Sequence, residues 1–153
     1  MKNLKKVSKC VEIFLRVFSA LAIIFLLLLY FICKKIGIHY DLFIFMIYPC
    51  GICFIYIVYQ FIKLFETIKE NNPFNFDNVQ RLRNSKLACY LISLLVLIAL
   101  LFTIFLYDYY SLQLKVALFF ISFIFFGVGI ALYILSVLFR QATKYKQEND
   151  LTI

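Results

Sequence analysis

The chain has 153 residues, 65% of them hydrophobic, with 19 phenylalanines and a formal net charge of +8. Soluble domains hold roughly 45–50% apolar residues, so a water-soluble fold would have nowhere to hide this surface. The basic excess flanks the apolar runs, which reads as membrane topology rather than nucleic-acid binding.

Four stretches carry no charged residue: Val17–Cys33, Leu42–Ile62, Leu87–Tyr107 and Val116–Phe139. A helix needs roughly 20 apolar residues to cross a ~30 Å hydrocarbon core, and each run is about that long. The expected fold is all-α: an integral membrane four-helix bundle built as two antiparallel hairpins. It forms one membrane domain, with spans near 14–33, 42–64, 87–107 and 116–139, a loop at 65–86 and a tail at 140–153.

The segment before the first span is basic and amphipathic. Lys2, Lys5, Lys6 and Lys9 fall at near-helical spacing, with Leu4, Val11 and Phe14 between them. Glu12 and Arg16 stand four apart, a spacing at which a helix pairs opposite charges. Arg16 is placed to snorkel toward the inner membrane face. No small-residue cleavage pattern follows the first apolar run, and Tyr30-Phe31-Ile32 is too bulky to make Cys33 a lipoprotein acceptor, so this run is expected to be a retained span.

The loops 34–41 and 108–115 are short, which forces antiparallel hairpins. Tyr30, Tyr40, Tyr107, Tyr109 and Tyr110 cluster at one predicted boundary, and Tyr59, Tyr90 and Tyr145 at the other, as interfacial anchors do. In the middle loop, Leu64, Phe65 and Ile68 extend the second helix beyond the lipid, and Asn71-Asn72-Pro73 stops it. Asn75 is placed to cap a third helix that runs on into the third span. Phe76, Val79 and Leu82 make a stripe suited to lying on the bilayer, while Arg81, Arg83 and Lys86 point toward water or headgroups.

Thirteen of the 16 basic residues lie before or just inside the first span, in the middle loop or after the fourth span; the others are Lys34, Lys35 and Lys115. The positive-inside rule then places both termini and the middle loop in the cytoplasm.

Chemistry-bearing groups are sparse. Cys50-Gly-Ile-Cys53 is a CxxC, but it follows Pro49 inside a span, where lipid supplies neither thiolate nor positive surroundings; small packing residues are expected. Cys10 and Cys89 lie near the inner boundary, within reach of lipidation. His39, the one histidine, sits beside Asp41 in a loop and makes no metal site. Gly127 and Ala131 share a helix face and favour close helix approach, within the bundle or between copies. Ala99 and Thr103 do the same in span three. No Asp, Glu, Lys, Arg or His lies within a span core, where such a charge costs ~2.5–3.5 kcal/mol on insertion scales and marks a task such as ion or proton transport. No nucleophile–base pair, metal cluster or phosphate loop is visible. The expectation is no enzyme, no cofactor and no direct nucleic-acid contact.

Asn72-Pro73-Phe74, then Asn78-Val79-Gln80-Arg81-Leu82-Arg83, and the ending Glu148-Asn149-Asp150-Leu151-Thr152-Ile153 resemble a family of small bacterial membrane proteins, the one called domain of unknown function 2975. The resemblance spans nearly the whole chain. It implies a bacterial cytoplasmic membrane, four spans and a neighbouring gene for a small helix-turn-helix regulator. Asn72 stands where the family commonly has glycine before Pro-Phe, and Val137 lies near the place of a common glutamate.

The distinctive residues therefore gather at one end. Pro73, Phe74, Asn78, Val79, Arg81, Leu82 and Arg83, with Glu148, Asn149, Asp150 and Leu151, are the candidates for contact with a protein partner or lipid headgroups. The tail reads as a docking segment or as a frayed helix end. A transport or efflux accessory, or immunity to a membrane-active peptide, is the alternative role.

Overall fold

The computed structural model describes residues 2–36, 40–70, 73–105 and 112–151, and side chains over 6–28, 31, 46–70, 73–105 and 112–149. Four helices make up the fold: α1 (Lys2–Ile36), α2 (Tyr40–Lys69), α3 (Phe76–Phe105) and α4 (Leu112–Leu151). All four are long and apolar enough to cross a membrane. At ~1.5 Å rise per residue, the 40 residues of α4 reach about 60 Å, roughly twice the hydrocarbon thickness. The helix therefore continues well past the lipid.

The helices run antiparallel in sequence order. Only consecutive helices approach backbone to backbone among the described residues. The α1–α2 pair is tight at Gly51, where an added Cβ would come within 2.6 Å of Leu26; Tyr48 also donates to the Leu26 carbonyl at 3.2 Å. The α3–α4 pair is clasped by two serines. Ser93 Oγ donates to the Ser122 carbonyl and Ser122 Oγ to the Ser93 carbonyl, each at 3.0 Å. In lipid such bonds are worth roughly 0.6 kcal/mol each, because the separated helices also find partners for their hydroxyls. Ile57, Leu64, Leu82, Cys89, Ile92 and Leu132 form the shared core.

Both termini and the α2–α3 connection lie at one end of the bundle, termed the loop end. Ser8 on α1 bonds the Phe65 carbonyl of α2 at 2.9 Å, and the rings of Phe74 and Phe139 stand 5.5 Å apart. The outer faces carry exposed Val17, Leu21, Ile24, Phe123, Ile130 and Ile134, among many others. Water would not tolerate so large an apolar surface; a bilayer requires it.

Local signals in the sequence account for the helix boundaries. Lys69 ends α2 shortly before Pro73. Asn75 caps α3, its Oδ1 accepting the Asn78 backbone N–H at 2.8 Å. Pro49 lies within α2 without ending it. His39, Asp41 and the Tyr30, Tyr40, Tyr107, Tyr109 and Tyr110 side chains lie outside the described residues, as do the side chains of Lys34, Lys35 and Cys33.

The structure corrects four side-chain placements. Gly127 has open space around it and Ala131 is exposed, so the close approach they favour is not one within this chain's own bundle. The packing glycine is Gly129, where a Cβ would overlap the Tyr90 ring. Tyr90 thus packs between helices, against Gly129 and Phe126, rather than only anchoring at the boundary. Cys89 is buried in the core, which removes it from lipidation. The Phe76–Val79–Leu82 stripe is split: Phe76 is exposed, Val79 half-buried and Leu82 fully buried.

Candidate functional site

Charged side chains gather at the loop end, and they fall into two groups that differ in how they are bonded.

The first group joins α1, α2 and α3. Glu12, largely buried, accepts from Arg16 Nε at 3.1 Å, the predicted i,i+4 pair, and is also paired with Lys69. Arg16 reaches across to Glu66 at 2.8 Å, and Lys63 meets the other oxygen of Glu66 at 2.8 Å. Arg16 therefore bridges two helices instead of only rising toward the membrane surface. Arg81, half-buried, turns inward and donates to the Lys63 carbonyl at 2.6 Å and to Asn78 Oδ1 at 3.3 Å. Asn78, fully buried, donates through Nδ2 to Thr67 Oγ1 at 2.6 Å and to the Pro73 carbonyl at 2.8 Å. Every polar function of that amide is occupied. Such satisfied networks rigidify a junction, because a lost partner strands a buried polar group.

Asn78, Arg81, Leu82 and the Pro73 carbonyl, all read from the sequence as contact residues, thus hold the α2–α3 turn together. Of that motif, Val79 and Arg83 remain at the surface, with Phe74 exposed beside Phe139.

The second group lies between α3 and α4. Arg83, Lys86 and Arg140, with Asp77, line a groove of about 670 Å³. Its apolar side is formed by Phe76, Val79, Tyr133 and Val137. Lys86 Nζ sits 4.8 Å from the centre of the Tyr133 ring, a cation–π contact of ~0.5–1 kcal/mol at an exposed site. Arg83 and Arg140 are exposed and form no ion pair or hydrogen bond among the described residues. Sequence reasoning separated Arg83 from Arg140 and missed the groove. The signal available was that Lys86 and Arg140 both stand at the first charged position beyond an apolar run.

The tail continues α4 as an exposed helix through Glu148 and Asn149, both engaged in contacts; the side chains of Asp150 and Leu151 are outside the described residues. Arg81 donates through Nη1 to the Lys63 carbonyl and to Asn78.

Deeper in the bundle, side chains of all four helices border an open-sided apolar cavity of about 390 Å³, among them Ala22, Leu26, Cys50, Phe54, Ala99 and Leu118. Cys50 and Cys53 are free thiols packed against the core, not a disulfide. The hydroxyls of Thr103, Ser136 and Thr143 bond to backbone carbonyls one turn back, at 2.7, 2.7 and 2.8 Å. Among the described residues no group of three His, Cys, Asp or Glu side chains is arranged to hold a metal.

A family model described as a protein of unknown function (DUF2975) matches residues 2–153. No curated protein and no solved structure matches the chain.

Proposed function

This chain belongs to the DUF2975 family, and we propose for it a non-catalytic role in the bacterial cytoplasmic membrane, exercised through the loop end facing the cytoplasm. The working surface is the Arg83–Lys86–Arg140 groove with the helical tail beside it, and its partner is anionic. The co-encoded helix-turn-helix regulator that the family resemblance implies is a candidate protein partner, and lipid headgroups are the other.

One observation carries this reading. Arg16, Lys63, Lys69 and Arg81 are all spent on internal bonds, while Arg83 and Arg140 are left facing outward in a groove. A cation without an internal partner adds positive potential and steers anions toward the surface. The cytoplasmic orientation draws support from the basic residues at that end.

Crosslinking in native membranes from single-cysteine sites beside the groove tests the role. The expected result is captured protein or lipid that falls away when Arg83 and Arg140 become glutamate, while insertion is unchanged. Unaltered capture and an unaltered phenotype in that variant would sink it.

The apolar cavity favours a second reading: interception of an apolar ligand or membrane-active peptide within the bilayer, as an immunity or efflux accessory would do. Cavities of this size class hold small apolar molecules. A deletion strain with unchanged sensitivity to a panel of such peptides would remove it.

A further inference from the structure

A second groove follows the basic one along the same pair of helices. On α3, Phe76, Arg83, Tyr90 and Leu97 recur every seven residues, as do Val79, Lys86 and Ser93. Residues seven apart share one face of a helix. On α4, Arg140, Tyr133, Phe126 and Phe119 follow the same interval. The basic groove occupies the loop-end part of this shared seam. A second groove, of about 500 Å³, occupies the deeper part, bordered by Tyr90, Leu94, Leu97, Phe119, Phe123 and Phe126. Lys86 and Leu97 are eleven residues apart, so the seam between them is about 16 Å long at 1.5 Å per residue.

The two grooves differ in chemistry as the two parts of a phospholipid do. The loop-end part holds three cations against one acid, Asp77. It lies where the uncharged runs of α3 and α4 begin, at Leu87 and Phe139, which is headgroup depth. The deeper part is apolar apart from the mutually bonded serines Ser93 and Ser122, and runs along the span. Tyr90 sits between them, its ring lying over Gly129. The absence of a side chain at Gly129 lets that ring settle between the helices.

We propose that the α3–α4 seam binds one anionic glycerophospholipid, with its phosphate at Arg83, Lys86 and Arg140 and one acyl chain along Leu94, Leu97, Phe119 and Phe123. This rests on the reading of the loop end as the working surface, and names its partner as lipid. An acidic protein segment would be drawn to the three cations, but it would have no use for a second, apolar groove further along the same helices. A basic pocket between spans on the cytoplasmic side is a recognised way of holding an acidic headgroup, at ~1 kcal/mol per base.

The chain contains no tryptophan, so a single introduced one reports its own surroundings. Leu94→Trp places a fluorophore in the trough, and Leu21→Trp places one on the exposed face of α1. Both variants are reconstituted in phosphatidylcholine vesicles holding a minor fraction of phosphatidylglycerol with brominated chains. The seam predicts stronger quenching at position 94 than at position 21. Arg83→Gln should raise the phosphatidylglycerol needed for half-quenching at position 94 about fivefold, and Arg83→Gln with Arg140→Gln about 25-fold, at ~1 kcal/mol per charge. Lys9→Gln, an exposed cation on α1, should leave it unchanged. Circular dichroism and a monodisperse elution profile confirm that each variant is folded.

Equal quenching at positions 94 and 21, or quenching at 94 indifferent to both arginines, overturns the proposal. If quenching is indifferent but the crosslinked protein partner still depends on Arg83 and Arg140, the lipid assignment fails and the loop-end role stands. If neither responds, both fail.

Discussion

Arg81 and Arg83 stand two residues apart on α3 and do different work. Arg81 turns into the bundle and is held by the Lys63 carbonyl and Asn78. Arg83 turns toward α4 and lines an open groove without an internal bond. Two residues along a helix is a rotation of about 200°, enough to send neighbours in a motif to opposite sides. The comparison extends to the regions around them. The α1–α2–α3 junction is a closed network in which cations meet carboxylates or carbonyls. The α3–α4 groove leaves Arg83 and Arg140 to the surroundings and holds Lys86 only against the Tyr133 ring. The first is built for stability and the second for contact, so damage to each should be read by a different measurement.

The largest effect is expected in the closed junction's core. Leu82→Ala removes a side chain that is 1% exposed and should cost about 2–5 kcal/mol, as cavity-forming substitutions do. Thermal unfolding in detergent would show it as a marked drop in Tm; an unchanged Tm would mean the α2–α3 packing is wrong. Asn78→Ala takes the side-chain donor away from the Pro73 carbonyl, while the Thr67 hydroxyl keeps its bond to the Leu64 carbonyl; it should cost about 1–3 kcal/mol, with Asn78→Asp only partly rescuing because it cannot donate.

On the other side of the comparison, the seam has its own contrast. Gly129→Ala forces the Tyr90 ring aside and should destabilise by about 1–3 kcal/mol, the usual range for overpacking. Gly127→Ala meets nothing within 4 Å and should be neutral or stabilising by up to ~1 kcal/mol through helix propensity. Equal shifts for the two would show that the α4 rotation is misassigned. Ser93→Ala with Ser122→Ala removes the reciprocal hydroxyl bonds and is expected to cost only about 1 kcal/mol, read as a small fall in Tm. The smallest effect on stability belongs to Arg83→Gln and Arg140→Gln, which break no internal bond and should leave Tm where it is.

Most of the fold could be read in advance, and the reasons are local. Charge-free runs mark the spans because lipid forbids bare charge. Pro73 and Asn75 mark the α2–α3 boundary because one disfavours helix before it and the other caps helix after it. The Glu12–Arg16 pair follows from spacing alone. The facing of side chains was much harder to read. In water an amphipathic helix advertises its buried side; in lipid both faces are apolar, so periodicity cannot tell Gly127 from Gly129. The cross-helix partners of Glu66 and Arg81 lie 50 and 18 residues away, and no local pattern announces them. The groove was invisible for the same reason, because Arg83 and Arg140 meet only once α3 and α4 are docked.

The central claim is that the loop-end cations divide into a committed set and an available set. Paired neutralisation of Arg81 and Arg83 tests it most directly. Each is changed to glutamine singly, and both Tm and binding of phosphatidylglycerol are measured on the purified protein. Arg81→Gln is expected to lower Tm and largely preserve lipid binding at temperatures where the protein is folded, while Arg83→Gln preserves Tm and weakens lipid binding about fivefold. If the two variants lose stability and lipid equally, or if the pattern is reversed, the division does not exist.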